Sequence, residues 1–172
     1  MLEILTNLIL DTCVGSAMMY HHRQDLIKDI LITMDVRKGD FIIDVPSEKK
    51  NRIVKVHPTI LADMRFLPFR ENVFDVLICD PPHFRFGKTS YMFLKYGAWN
   101  ESERIPTIYK ANIEFSRVLK STGTIVLKIM SEKLGSYENL FSNFIFYLPI
   151  HIFRSCGKDI KHGALWLIGI KK

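Results

Sequence analysis

Phe74-Asp-Val-Leu-Ile-Cys-Asp80-Pro81-Pro82-His83 is the stretch that decides the fold. Its first six residues form a short, nearly unbroken apolar run. That is the pattern of a strand buried on both faces of a parallel sheet. An acid closes the run. Two consecutive prolines then remove two backbone N–H donors and fix two φ angles, so the chain leaves the sheet there on a rigid path. In open α/β sheets, ligands bind outside the carboxyl ends of the strands, which is where Asp80 falls.

The same pattern recurs upstream. Leu8-Ile9-Leu10-Asp11, Ile30 to Asp35 (ILITMD) and Thr59 to Asp63 (TILAD) are apolar runs that each end in aspartate. Downstream, Gly123 to Met130, Ile150 to Arg154 and Ala164 to Ile170 are further strand candidates. Ile108 to Lys120 reads as a helix, with Ile108, Ala111, Ile113, Phe115, Val118 and Leu119 on one face and Gly123 as a stop. Tyr137 to Leu148 reads as a second helix ended by Pro149. Between Arg37 and Val56, the charged turn Glu48-Lys-Lys-Asn-Arg52 either joins two short strands (Phe41 to Val45 and Ile53 to Val56) in an edge hairpin or is a plain solvated loop. Strands alternating with helices imply a layered α/β domain with right-handed crossovers.

Composition narrows the class. With 172 residues, 48% of them hydrophobic, the chain is expected to be one domain over 1–172. No apolar run reaches the roughly 18 residues of a membrane span, and the start lacks the basic leader of a signal peptide. The cytoplasm is therefore the expected location, and no membrane partner is expected. Cys13, Cys79 and Cys156 are odd in number and widely spaced, which argues for free thiols rather than disulfides or a zinc site. His21 and His22 are adjacent and point apart on a helix, so no metal site is expected. A net charge of +6 favours a polyanionic partner.

One aspartate after an apolar run is an ordinary turn former. Four in succession suit a ligand made of a nucleoside with an amino-acid tail. Asp35 is placed to accept from ribose hydroxyls, Asp11 to face an amino group, and Asp63 to accept from the adenine amine with Met64 packed on the ring. Gly15, in the turn Asp11-Thr-Cys13-Val-Gly15-Ser-Ala17, allows close backbone approach. The turn matches neither the dinucleotide fingerprint nor a P-loop, which disfavours NAD and ATP. At Asp80-Pro81-Pro82, the carboxylate and the Pro81 carbonyl can each accept one N–H of a planar amine and aim its lone pair, which is catalysis by positioning and electrostatics. His83 is placed to stack on an extruded base. Phe84, Arg85, Lys88 and Tyr91 interleave aromatics with cations, as Lys95, Tyr96 and Trp99 do after them. The segment reads either as a substrate-facing loop or as an active-site lid, with Gly87 and Gly97 as hinges.

These pieces together resemble the Rossmann-like class I S-adenosylmethionine (SAM)-dependent methyltransferases, and within them the amino-methyltransferases with a (D/N)-P-P-(Y/F/W) motif. The resemblance rests on LDTCVGS (Leu10 to Ser16), Asp35, ADMRFLPFRENVFDVLICDPPHF (Ala62 to Phe84), RVLKSTGTIVLKI (Arg117 to Ile129) and the closing ALWLIGI. More closely, D-P-P-H followed by Gly87-Lys-Thr-Ser90 and Lys95-Tyr-Gly97 is similar to small phage- and prokaryote-type DNA methyltransferases. The resemblance implies a seven-stranded, mostly parallel sheet with an antiparallel last strand and helices on both faces. It implies SAM held by Asp11, Cys13, Gly15, Asp35, Asp63 and Met64, with Asp80, Pro81, Pro82 and His83 catalytic. The implied activity is N-methylation of adenine or cytosine in DNA. An RNA base, a protein Gln or Asn amide, or a non-catalytic SAM-binding subunit are the alternatives. No separate target-recognition domain is expected, so specificity would need a homodimer or an accessory partner. The sequence departs from the family pattern at two points: His83 replaces the stacking aromatic, and Ala17 replaces a glycine.

Overall fold

Phe74–Cys79 is the central strand of a seven-stranded sheet. The computed structural model describes residues 7–17, 20, 30–45, 50–82, 91–130, 139–153 and 163–172. Along the chain run β1 (Leu8–Asp11), β2 (Ile30–Asp35), β3 (Gly39–Val45), β4 (Lys50–Val56), β5 (Ile60–Leu61), β6 (Phe74–Cys79), α1 (Tyr91–Tyr96), α2 (Glu101–Val118), β7 (Leu119–Met130), β8 (Phe144–Phe153) and β9 (Gly163–Lys171).

The sheet order is β5-β2-β1-β6-β7-β9-β8. The pairs β1/β2, β2/β5, β1/β6 and β6/β7 are parallel, and β9 runs antiparallel to both its neighbours, β7 and β8. This is the expected Rossmann-like sheet with an antiparallel last strand, which sits between its neighbours rather than at the rim. From β1 the chain steps outward to β2 and β5, then returns to the other side of β1 as β6. The strand order therefore reverses between β1 and β6, the place where such sheets open a ligand crevice.

The core lies between the sheet and α2. Leu10, Met34, Leu77, Ile125, Leu127 and Leu165 from the sheet and Ile108, Ala111, Phe115 and Val118 from α2 are all fully or almost fully buried. Phe115 stacks on Phe141 at 6.1 Å between ring centroids. Each such large side chain contributes roughly 1.5–3 kcal/mol by its burial.

Several expectations change. The helix expected over Ile108–Lys120 starts at Glu101 and ends at Val118. Pro106 lies inside it, in the second turn, where it has no N–H to give the Ser102 carbonyl. Ile113, expected on the buried face, is exposed. Gly123 does not stop the helix. It lies inside β7, where the register against β6 shifts between the pairs Phe74↔Leu119 and Val76↔Thr124, as a glycine at a strand irregularity allows.

The helix expected over Tyr137–Leu148 is overturned from Phe144 onward, where β8 begins and runs through Pro149. Its residues, FIFYLPIHIF, are mostly isoleucine, phenylalanine and tyrosine, which favour strands. Pro149 is accommodated because β8 is the sheet's last strand, so one side of it has no ladder to supply. The hairpin reading of Arg37–Val56 holds in a different place: β3 and β4 pair antiparallel as a two-stranded ribbon of their own, crossing from β2 to β5. Val54 and Val56 are its buried face. The helices expected on the opposite face, including the one around His21 and His22, lie outside the described residues. Among the described residues, no helix is long and apolar enough to cross a membrane.

Candidate active site

The carboxyl ends of β1, β2, β5 and β6 meet around one cavity. β1 ends on Asp11, which is fully buried. Its carboxylate accepts from the Cys13 N–H (3.0 Å) and from the Tyr20 hydroxyl (2.8 Å), so it anchors the following turn from beneath. Burial lifts the Asp11 carboxyl to about 6; the nearby Asp80 and Asp35 charges add to the rise, and the two hydrogen bonds oppose it. The Tyr20 phenol is pushed up by its own burial and by the Asp11 charge. Cys13 is held as a neutral thiol by its hydrogen bond to Cys79 and by burial.

The turn then passes through two left-handed residues, Gly15 (φ +53°) and Ala17 (φ +54°). Gly15 is required: a Cβ there would lie 2.7 Å from the Lys95 carbonyl oxygen of α1. Ala17, where the family pattern has glycine, adopts the same conformation at a cost of roughly 1–2 kcal/mol.

β2 and β5 lead to two turns of matching construction, Asp35-Val-Arg37 and Asp63-Met-Arg65. In each, the arginine two residues on donates its backbone N–H to Oδ1 (2.9 and 2.8 Å) and its Nε to the same oxygen (3.0 Å in both). A terminal guanidinium nitrogen reaches Oδ2, at 3.1 Å in the first turn and 2.6 Å in the second. Asp35 Oδ2 also accepts the Gly15 N–H at 3.0 Å, which ties β2 to the first turn. Arg37 continues to the carbonyls of Phe93 and Leu94 in α1. Burial works against the Asp63 charge, but the Arg65 hydrogen bonds prevail and hold its carboxyl below the usual range.

The cavity, about 260 Å³, is lined by Thr12, Cys13, Asp35, Arg37, Asp63, Met64, Arg65 and Pro82, with Phe93, Tyr96 and Trp99 from the segment that closes over it. Pro82 comes from the Asp-Pro-Pro exit after β6, where Pro81 is buried. Gly97 (φ +75°) packs between Arg37 and Pro82, so the end of α1 closes on both. Asp80 is 11% exposed and receives the Lys128 ammonium from β7 at 2.5 Å.

Of the residues read from the sequence, Cys13, Asp35, Asp63, Met64 and Pro82 are on the cavity wall, while Asp11 lies beneath the turn instead. His83, Phe84, Arg85 and Lys88 lie outside the described residues. Tyr91 begins α1, with the Arg52 guanidinium 5.3 Å and the Lys95 ammonium 5.6 Å from its ring. Arg37, Arg65, Tyr20 and Lys128 were missed. The repeated Asp-x-Arg spacing was the signal for the first two, and a lysine inside an apolar strand was the signal for the last. Among the described residues, no group of three or more His, Cys, Asp or Glu side chains could hold a metal.

No family model and no curated protein matches the chain by sequence. Solved structures do. The PH0226 protein of Pyrococcus horikoshii OT3 is 14% identical, covers 97% of this chain and 82% of its own, and superposes with a TM-score of 0.59. A TehB-like SAM-dependent methyltransferase of Corynebacterium glutamicum is 13% identical over 96% of this chain and 80% of its own, with a TM-score of 0.56. A ribosomal protein L11 methylase of Lactobacillus delbrueckii is 10% identical over 99% and 72%, also with 0.56. The chain therefore has the Rossmann-like fold of SAM-dependent methyltransferases. At these identities the likeness is one of fold, and function has to be argued from the site.

Proposed function

We propose that this protein is an enzyme, a SAM-dependent methyltransferase acting on the exocyclic amine of a nucleobase, adenine or cytosine in DNA. The observation that carries the reading is the convergence of Asp35, Asp63, Met64 and Pro82 on one cavity at the switch point of this fold.

The residues present fit the cofactor. Asp35 and Asp63 would offer carboxylate oxygens to ribose hydroxyls and to an adenine amine once the ligand displaces side-chain bonds of Arg37 and Arg65, and Met64 with Trp99 and Tyr96 supplies apolar wall for the ring. The cavity lies just under the roughly 300–1,000 Å³ of small-molecule pockets, so a full nucleoside with its amino-acid tail requires α1 to yield. Bound there, SAM supplies an electrophilic methyl on a sulfonium, and the electron pair of the broken C–S bond stays with sulfur.

The protein's part is positioning. The Asp80 carboxylate and the Pro81 carbonyl take the two N–H groups of the amine, drawing its lone pair out of the ring and toward the methyl. The proton shed by the methylated nitrogen leaves past Asp80 to water. His83 is proposed to stack on the base, and Phe84, Arg85, Lys88 and Tyr91 to contact the substrate. The net charge of +6 supports a polyanionic substrate.

The test is transfer of radiolabelled methyl from SAM to separate pools of duplex DNA, single-stranded DNA, RNA and protein. Label should enter a DNA pool and vanish in Asp80→Ala, which keeps SAM binding, whereas Asp35→Ala should weaken SAM binding. Full activity in Asp80→Ala would refute the amine-positioning model, and label in protein alone would refute the substrate class.

A further inference from the structure

We infer that Lys128 is a positioning residue for the Asp80 carboxylate; the inference rests on the function proposed above.

The register of the sheet brings the two residues together. Cys79 on β6 pairs with Leu127 on β7 in parallel, so the next residues along, Asp80 and Lys128, run side by side. Cys79 and Leu127 are fully buried. Successive side chains of a strand alternate faces, so Lys128 emerges on the other side. There its antiparallel partner is Trp166 of β9, whose ring lies 5.6 Å from the ammonium.

A lysine within the run Thr-Ile-Val-Leu-Lys128-Ile-Met sits where an apolar side chain would serve the fold at less cost. Its side chain is 24% exposed, and its ammonium bonds Asp80 Oδ2. Lys128 lies inside β7 and Asp80 directly follows the last residue of β6, so the contact ties the carboxylate to the sheet at the point where the chain leaves it.

The site gives this contact a task. Asp80 lies close enough to the Asp11 carboxylate for the two charges to oppose each other, and Tyr20 also feels the Asp80 charge. To hold an amine, Asp80 must stay an acceptor with a fixed carboxylate plane. A protonated or rotated Asp80 would present an O–H or the wrong lone pair. Lys128 supplies a balancing positive charge on one oxygen and fixes the plane, while the indole face of Trp166 confines the ammonium from the far side.

Lys128→Met, Lys128→Arg, Asp80→Asn and the double variant Asp80→Asn/Lys128→Met are compared in methyl transfer to the DNA pool, with SAM affinity and thermal melting measured on each. Lys128→Met should lose about 10²-fold in kcat through misplacement of the amine, with SAM affinity unchanged. Lys128→Arg should recover most of that loss, and the double variant should be no slower than Asp80→Asn alone, since the two residues act as a unit. Wild-type kcat in Lys128→Met while Asp80→Asn is inactive would overturn the inference and spare the proposed function. Wild-type kcat in Asp80→Asn would overturn both. Independently of turnover, the Lys128 ammonium should give a slowly exchanging ¹⁵Nζ resonance that disappears in Asp80→Asn. Its absence from the wild type would overturn the pair.

Discussion

Asp11→Asn should change how stability depends on pH, in the direction opposite to the usual carboxylate. The Asp11 carboxyl is raised to about 6 in the folded protein from an ordinary value of 3.8. Between these values the folded state binds more protons than the unfolded state, so the Asp11 contribution to stability falls as pH rises. From pH 4 to pH 7.5 the wild type should lose about 2–3 kcal/mol through this group, a sizeable part of a typical domain's 5–15 kcal/mol. Asparagine cannot ionise and loses none of it. It does carry an amide that must share the Cys13 N–H and the Tyr20 hydroxyl, and any mismatch there offsets the gain by roughly 1–3 kcal/mol. That offset is the same at both pH values, because protonated Asp11 and asparagine are close in shape. The quantity to measure is therefore the difference between variant and wild type in urea unfolding free energy, at pH 4 and again at pH 7.5. It should move in favour of the variant by about 2–3 kcal/mol, while other titrating groups cancel. A difference that stays flat across this range would refute the argument that burial governs Asp11.

Two further outcomes follow from the geometry of the turns. Arg37→Ala leaves the buried Asp35 carboxylate without its guanidinium and frees the Phe93 and Leu94 carbonyls, so unfolding free energy should drop by about 2–3 kcal/mol. Arg37→Lys should restore only part of this, because an ammonium cannot span both sides. Ala17→Gly should raise the urea unfolding free energy by about 1 kcal/mol, by relieving the left-handed backbone at φ +54°; unchanged or lower stability would show that Ala17 is not strained there.

The strand-end acids were legible because each follows from a local rule: a short apolar run buried in a parallel sheet, then a residue outside its carboxyl end. The same rule located Asp35, Asp63 and Pro82 of the Asp-Pro-Pro exit at the cavity, while Asp80 and Pro81 are not on its wall. β8 was misread because Phe141 to Leu148 places apolar residues at both helical and strand spacings, and Pro149 reads as a stop unless its strand is known to be at the edge. That is a fact of sheet order, which no local window contains. The hairpin could be read as a pair of strands but not as a separate ribbon, for the same reason. Arg37 and Arg65 were given no role from the sequence, since nothing in their own type announces that each folds back on an aspartate two residues before it. Lys128 could be flagged as a misfit in an apolar strand. Its partner became visible only when the β6/β7 register was known.

Compensation of charge separates Asp11 from the other three strand-end acids. Asp35, Asp63 and Asp80 each face a cation from the same rim, namely Arg37, Arg65 and Lys128. Among the described residues, Asp11 is met by a backbone N–H and a phenol, both neutral. A ligand with a positive amino group or sulfonium, bound against the turn that Asp11 anchors, would supply the missing charge and pull its carboxyl down from about 6. Binding SAM should then release protons near neutrality. At pH 6, where Asp11 is half protonated, about half a proton should leave per molecule bound, and at pH 8 almost none. Calorimetry at pH 6 in two buffers of different ionisation enthalpy reads this number directly, and Asp11→Asn should abolish it. Tight binding with no proton release at pH 6 would mean that the cofactor's positive charge lies away from Asp11, and that the acid serves only to hold the turn.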